Sequence, residues 1–334
     1  MKGKQAREMV SAALLLTLLV LAGCGQSRLG NTSSPAVSDI DPGITGLERE
    51  KIANVMQGLT TQQRQNVVFI DEDGKIYSNR VELKQDWYSP KKVGDNLYEL
   101  RSGERIYGMP QGTDRQGLEA QAYPCKKSDG PYYRVHTAVG KKLGGVSIGK
   151  YAYANALVDV RDNPGFANNG LSAYVTLGGW GSSPDDMTGK AVDAGLQYNP
   201  VKSGNPVADY TPWVLVNGTP YTGTIQRLKP ANGIPMTFWV KQDNQVALTI
   251  TGNLESNNNQ VTQTVIMAAS GWKADGSGNV IKRFTSITRY AGFIGPIQSV
   301  SFVADWQGVV LGSSWNGTSS TALNQHYWDE WQTD

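Results

Sequence analysis

Hydrophobic and polar residues alternate through most of the C-terminal two-thirds of the chain, and turn residues break the alternation at short intervals. Runs of this kind cover 132–139, 152–160, 171–177, 191–198, 213–216, 236–240, 246–250, 261–268, 280–290 and 299–311. Successive side chains of a strand point to opposite faces, so a period of two predicts strands rather than helices. Asn217-Gly218, Asp243-Asn244 and Asp275-Gly276-Ser277-Gly278 supply the turns between them. About ten to fourteen short strands in one domain, 129–334, make a mainly β protein: an antiparallel β-sandwich or jelly roll.

Upstream the pattern differs. Over 47–59, Ile52, Val55, Met56 and Leu59 recur at helical spacing. Two hairpins follow. The first spans 66–77 around Glu72-Asp73-Gly74-Lys75, and the second joins 97–100 to 105–107 around Ser102-Gly103-Glu104. Together they predict a small α+β segment, 43–128. Asp71, Glu72 and Asp73 do not form an EF-hand loop. Lys75 occupies a ligand position and Gly74 comes too early.

The start of the chain carries Lys2, Lys4 and Arg7, then an apolar run over 12–21. That run is shorter than the roughly twenty residues a spanning helix needs and reads as an export signal. It ends in Leu21-Ala22-Gly23-Cys24, which resembles the lipobox of bacterial lipoproteins. The resemblance implies cleavage after residue 23, lipid on Cys24, and tethering to the cell membrane or the outer membrane. Each buried methylene of the acyl chains would contribute ~0.8 kcal/mol. Residues 24–42 are rich in Ser, Gly, Asn and Pro and read as a flexible linker.

Composition narrows the function classes. A formal net charge of +2 with 18% charged residues leaves no dense basic face, which excludes nucleic acid as a partner. Cleavage leaves Cys125 as the single thiol, so no intramolecular disulfide is expected. Two histidines and one thiol do not make a zinc site. Cys125 and His136 lack a third member for nucleophilic catalysis. Gly145-Val146-Ser147-Ile148-Gly149 has the letters of a nucleophile elbow, with His326 downstream, but a strand instead of a helix is predicted after it.

The segments 192–198 (Val-Asp-Ala-Gly-Leu-Gln-Tyr), 282–287 (Lys-Arg-Phe-Thr-Ser-Ile) and 304–306 (Ala-Asp-Trp) resemble a poorly characterised group of bacterial exported proteins with concanavalin A-like lectin/glucanase-type sandwiches. The resemblance covers roughly the last 180 residues. It implies a jelly roll that binds or cuts polysaccharide, and calcium by fold analogy only. Asp185, Asp186 and Asp243 form no calcium loop, and no other cofactor or metal is expected.

A Glu-x-Asp-x-x-Glu strand, which would set the two carboxylates of a glycosidase on one face, is absent. Asp159, Asp193, Asp209 and Asp305 show no spacing that pairs them. Gln197 with Glu330 would be the counterpart of a glutamic-peptidase pair, but the flanking motifs differ. No catalytic residue is therefore assigned. The many Trp and Tyr residues with amide neighbours suit a glycan platform instead, since sugars stack CH faces on indole rings. The expected ligand-binding residues are Trp180, Asp193, Gln197, Tyr198 and Trp213, with Asp193, Gly195 and Gln197 on one strand face. Trp180 and Trp213 are expected at strand ends, where a ring can be exposed. The expectation is thus an envelope lipoprotein that binds a glycan or other envelope component without turnover. The alternatives are a polysaccharide- or peptide-hydrolysing enzyme of the same fold and a purely structural envelope protein.

Overall fold

The computed structural model describes residues 37–108, 132–137, 149–162, 166, 170–181, 191–199, 208–289, 304–313, 320–322 and 328–332. A 3-10 turn at Val37–Asp39 leads into helix α1 (Gly46–Met56), which ends ahead of Gly58 at φ 77°. Strands β1 (Asn66–Ile70) and β2 (Ile76–Ser78) form the first predicted hairpin, with Gly74 at φ 76°. Helix α2 (Val81–Asp86) precedes β3 (Lys91–Gly94), β4 (Leu97–Glu99) and β5 (Arg105–Tyr107). The sandwich strands are β6 (Tyr132–His136), β7 (Tyr153–Val160), β8 (Leu171–Trp180), β9 (Ala191–Asn199), β10 (Asp209–Val216) and β11 (Thr219–Thr222). They continue with β12 (Ala231–Gln242), β13 (Gln245–Asn253), β14 (Gln260–Ala268), β15 (Val280–Arg289), β16 (Ala304–Gly312), β17 (Ser320–Ala322) and β18 (Trp328–Gln332).

An eight-stranded sheet runs β17-β16-β7-β12-β13-β14-β1-β2, a seven-stranded sheet β11-β10-β9-β8-β15-β6-β18, and a three-stranded sheet β3-β4-β5. Among the described residues, pairing is antiparallel except between β1 and β14. The two large sheets share one core. Ala154, Ala156, Phe238, Leu248 and Val265 come from the eight-stranded sheet, and Val175, Leu177, Ala194, Leu196, Val214 and Ile281 from the seven-stranded one. The mainly β sandwich expected from the alternation is therefore present. Among the described residues, no helix is long and apolar enough to cross a membrane.

The α+β segment joins the sandwich rather than sitting apart from it. β1 pairs in parallel with β14, Val68 opposite Val265, and so extends the large sheet. Ile52, Val55 and Met56 of α1 pack with Phe69, Tyr77, Trp239 and Ile266 on that sheet's other face. Residues 37–42, read from composition as linker, also belong to the fold: Ile40 is buried in this cluster, and the Asp41 carboxylate accepts from Arg80 and the Val81 amide.

Gly195 in β9 is required by a close approach of backbones. A methyl built there would lie 2.0 Å from the Val175 carbonyl oxygen of β8. Gly195→Ala is therefore expected to lower stability by about 2–4 kcal/mol. An unchanged midpoint in urea denaturation would contradict that geometry.

Candidate functional site

Among the described residues, the expected ligand residues gather on the seven-stranded sheet. On β8, Ala173, Val175 and Leu177 enter the core, so Ser172, Tyr174, Thr176 and Gly178 take the outer face. The register then fixes four rows across that face. Asp193, Gly178 and Lys282 share one row with Leu215; Gly195, Thr176 and Phe284 share the next with Trp213. Gln197, Tyr174, Ser286 and Thr211 form the third, and Asn199, Ser172, Thr288 and Asp209 the fourth. Trp180, beside Val280 and Ala191, caps the first row.

Four of the five expected ligand residues, Trp180, Asp193, Gln197 and Trp213, therefore share one face. Tyr198 does not. Alternation turns it inward with Val192, Ala194 and Leu196, where its ring meets Phe166 and Tyr210 and its hydroxyl donates to Asp162 at 2.7 Å. Trp180 is the last residue of β8, at a strand end as expected, whereas Trp213 lies inside β10 rather than at its start; both indoles are buried.

Burial governs the chemistry of the face. Lys282 Nζ contacts Asp193 Oδ1 at 2.7 Å, both side chains being under a tenth exposed. Gly178 stands between them in the row and leaves the space they cross. The ammonium also lies 4.3 Å from the Trp180 ring centroid and 5.3 Å from that of Phe284. At the other end the Asn199 amide donates to Asp209 at 2.6 Å and also to Thr211. Arg227 reaches Asp209 at 3.3 Å. Burial pushes the Asp209 carboxyl above its ordinary range, against the pull of Asn199 and Arg227.

Between these ends the polar groups are less well served. Thr176 Oγ1, Ser286 Oγ and Trp213 Nε1 are buried with no hydrogen-bond partner, and the Gln197 amide reaches Ser172 Oγ only at 3.4 Å. A buried polar group left unpaired costs about 1–3 kcal/mol. Three such groups lie on this one face.

The other candidate chemistries fare differently. β18 lies four strands from β9, so at about 4.8 Å per strand positions 330 and 197 stand roughly 19 Å apart along the sheet. Asp159 and Asp305 oppose each other across β7 and β16 on the eight-stranded sheet. Both oxygens of Asp159 are occupied, by the Gly233 amide and the Gln307 side chain. Among the described residues no three acidic, histidine or cysteine side chains group to hold a metal. Asp71 instead anchors its turn, accepting from the Asp73 and Lys75 amides and from Lys51. Cys24, Cys125, Ser147, Asp185, Asp186 and His326 lie outside the described residues. Sequence reasoning missed Thr176, Ser286 and Lys282, whose places depend on pairing β8 with both β9 and β15.

No family model matches the chain, and no curated protein matches it. Among solved structures it is similar to scytalido-glutamic peptidase bound to a peptide-based transition-state analogue, at 9% identity and a TM-score of 0.36. It is also similar to SCP-B, a member of the Eqolisin family of peptidases, in complex with the tripeptide Ala-Ile-His, at 10% identity and a TM-score of 0.31. Each match covers 62% of this chain and 88% of the other. The likeness is to a β-rich fold.

Two outcomes are expected. Lys282→Met alone strands a buried carboxylate and should cost about 3–5 kcal/mol, most of it recovered when Asp193→Leu is added; a urea double-mutant cycle showing additivity would refute the pairing. For Asp209, the native carboxyl holds its proton to higher pH than the unfolded one, whose value is near 3.8. Its contribution is therefore complete in acid and is lost as pH rises through the raised native value. Asp209→Asn should accordingly gain melting temperature relative to the parent between about pH 4 and about pH 7. A constant difference across that range would argue against the raised value.

Proposed function

We propose that this chain is an exported envelope lipoprotein, held at a membrane by lipid on Cys24, whose sandwich binds a glycan or another hydroxyl- and carbonyl-rich envelope component without turning it over. The observation that supports the binding reading is the set of buried, unpartnered groups at Thr176, Ser286 and Trp213, beside Gln197. Trp213 Nε1 is a donor only, and the two hydroxyls can donate or accept. A ligand bearing hydroxyl or carbonyl oxygens supplies what they lack. The anchoring rests on the Leu21-Ala22-Gly23-Cys24 pattern after an apolar run.

A second reading, hydrolysis, is favoured by one observation: Asp209 is buried, holds its proton to raised pH, and lies one row from Gln197. A protonated carboxyl near an amide can donate a proton to a leaving group. Its own partners, Asn199 and Arg227, are those of a structural carboxylate, so binding is the preferred reading.

The test is a glycan array screened with the chain lacking residues 1–24, which keeps Ile40 in place. Selective retention of one glycan class, weakened at least tenfold by Gln197→Ala or Trp213→Phe, is expected. Retention that ignores both substitutions would place the ligand elsewhere. Release of cleaved glycan that stops with Asp209→Asn would instead establish the hydrolase.

A further inference from the structure

The outer face already holds one stretch of the chain. Leu100, just after β4, packs into the apolar cluster of Tyr174, Trp213, Leu215 and Phe284 at the middle of the face. The carbonyl oxygen of Tyr107, at the end of β5, accepts from Tyr174 Oη at 3.2 Å and from Thr288 Oγ1 at 2.8 Å. The Gly108 carbonyl also lies 3.4 Å from Thr288 Oγ1. One apolar anchor and one shared carbonyl thus seat 97–108 against a face on which Thr176 Oγ1, Ser286 Oγ and Trp213 Nε1 have no hydrogen-bond partner.

The attachment is slight. The three-stranded sheet shares no ladder with either large sheet among the described residues. Of 91–108, only Tyr98, Ile106 and Gly108 are buried. A further latch is solvent-exposed: Arg101 donates to the Gln85 and Asp86 carbonyls at 3.0 and 2.7 Å, its backbone amide donates to Tyr88 Oη, and its guanidinium lies over the Tyr88 ring. Exposed contacts of this kind contribute little, because water competes for them. The segment satisfies Tyr174 and Thr288 and leaves Thr176, Ser286 and Trp213 Nε1 without partners. An occupant that met those groups as well would be held better than the chain's own.

We propose that residues 97–108 are a built-in plug of the outer face, and that a ligand of this face gains access by displacing them. This rests on reading the face as a binding surface. The plug is covalently attached, so its effective concentration is on the order of millimolar, and a ligand free in solution competes against that. Weakening the seat raises the affinity for anything that uses the same groups.

The test uses a fluorescent peptide of residues 97–108 and two versions of the chain lacking residues 1–24, the parent and Leu100→Ala. Fluorescence anisotropy should show the peptide binding Leu100→Ala at least tenfold more tightly than the parent, and a peptide carrying Leu100→Asp binding neither. Leu100→Asp in the chain serves as a second release variant. Equal affinity for parent and variant, or no binding to a variant that circular dichroism shows folded, overturns the plug. The glycan array run on the same chains separates the two readings. Glycan retention unchanged by Leu100→Ala, with no peptide binding, discards the plug and keeps the binding surface. Peptide binding to the released chain without any glycan retained keeps the plug and discards the glycan.

Discussion

All ten residues of β8 are buried, and that two-sided burial is the constraint from which the rest of the molecule follows. A strand sends alternate side chains to opposite faces, so a sheet covered on both sides must place something out of water twice. On its inner face the seven-stranded sheet meets this with Val, Ala and Leu against the eight-stranded sheet. On its outer face it carries Ser, Thr, Gln, Asp and Lys, which must find partners within the face or bear the full cost of desolvation. The Asp193–Lys282 contact, the Asn199 amide on Asp209 and Thr211, and the Ser172 hydroxyl on the Tyr198 carbonyl are those partners.

The glycines follow from the same constraint. At Gly178 a methyl would come 1.9 Å from the Val192 carbonyl, and at Gly195 2.0 Å from that of Val175. Strands β8 and β9 therefore approach closely where one member of each facing pair is a glycine, Gly178 opposite Asp193 and Gly195 opposite Thr176. Space on the face is left for Lys282 to reach Asp193 past one glycine and for Trp213 to lie beside the other. Breaking one partner of a buried pair is far more costly than omitting both, so the ion pair is weak support for stability but strong support for a fixed arrangement.

Much of this was legible in the chain. The runs at 171–177, 191–198 and 280–290 became β8, β9 and β15 with ends shifted by a few residues, because strict alternation leaves little choice of face. The same alternation that groups Asp193 with Gln197 turns Tyr198 to the opposite face. β10 was expected only from Trp213 because Pro212 breaks strand patterns. The proline is tolerated because β11 pairs from Trp213 onward, so its missing donor faces an unpaired stretch of edge, where Thr222 donates to the Pro212 carbonyl. The parallel partner of β1 was not legible: it is β14, some 200 residues away, as the Gln62–Thr262 hydrogen bond shows. Nor was the burial of Trp180 and Trp213, since polar neighbours along a strand say nothing about what covers them.

The chemistry of the outer face runs in order from one end to the other. Lys282 and Asp193 neutralise each other under Trp180 at one end, while Asp209 at the other is drawn toward its neutral form by burial. Neither end offers an unanswered charge, so an ionic ligand would gain little there and would carry its own desolvation cost. The unanswered groups are in the middle rows, and one of them, the Trp213 indole, can only donate. An ammonium group cannot satisfy it; a carbonyl, ether or hydroxyl oxygen can. The chain's own occupant obeys this rule nearby, since what it presents to Tyr174 and Thr288 is a carbonyl oxygen. On the binding reading proposed above, neutral, oxygen-bearing ligands suit the face because of the donors it leaves unpaired, not because of any charge it displays.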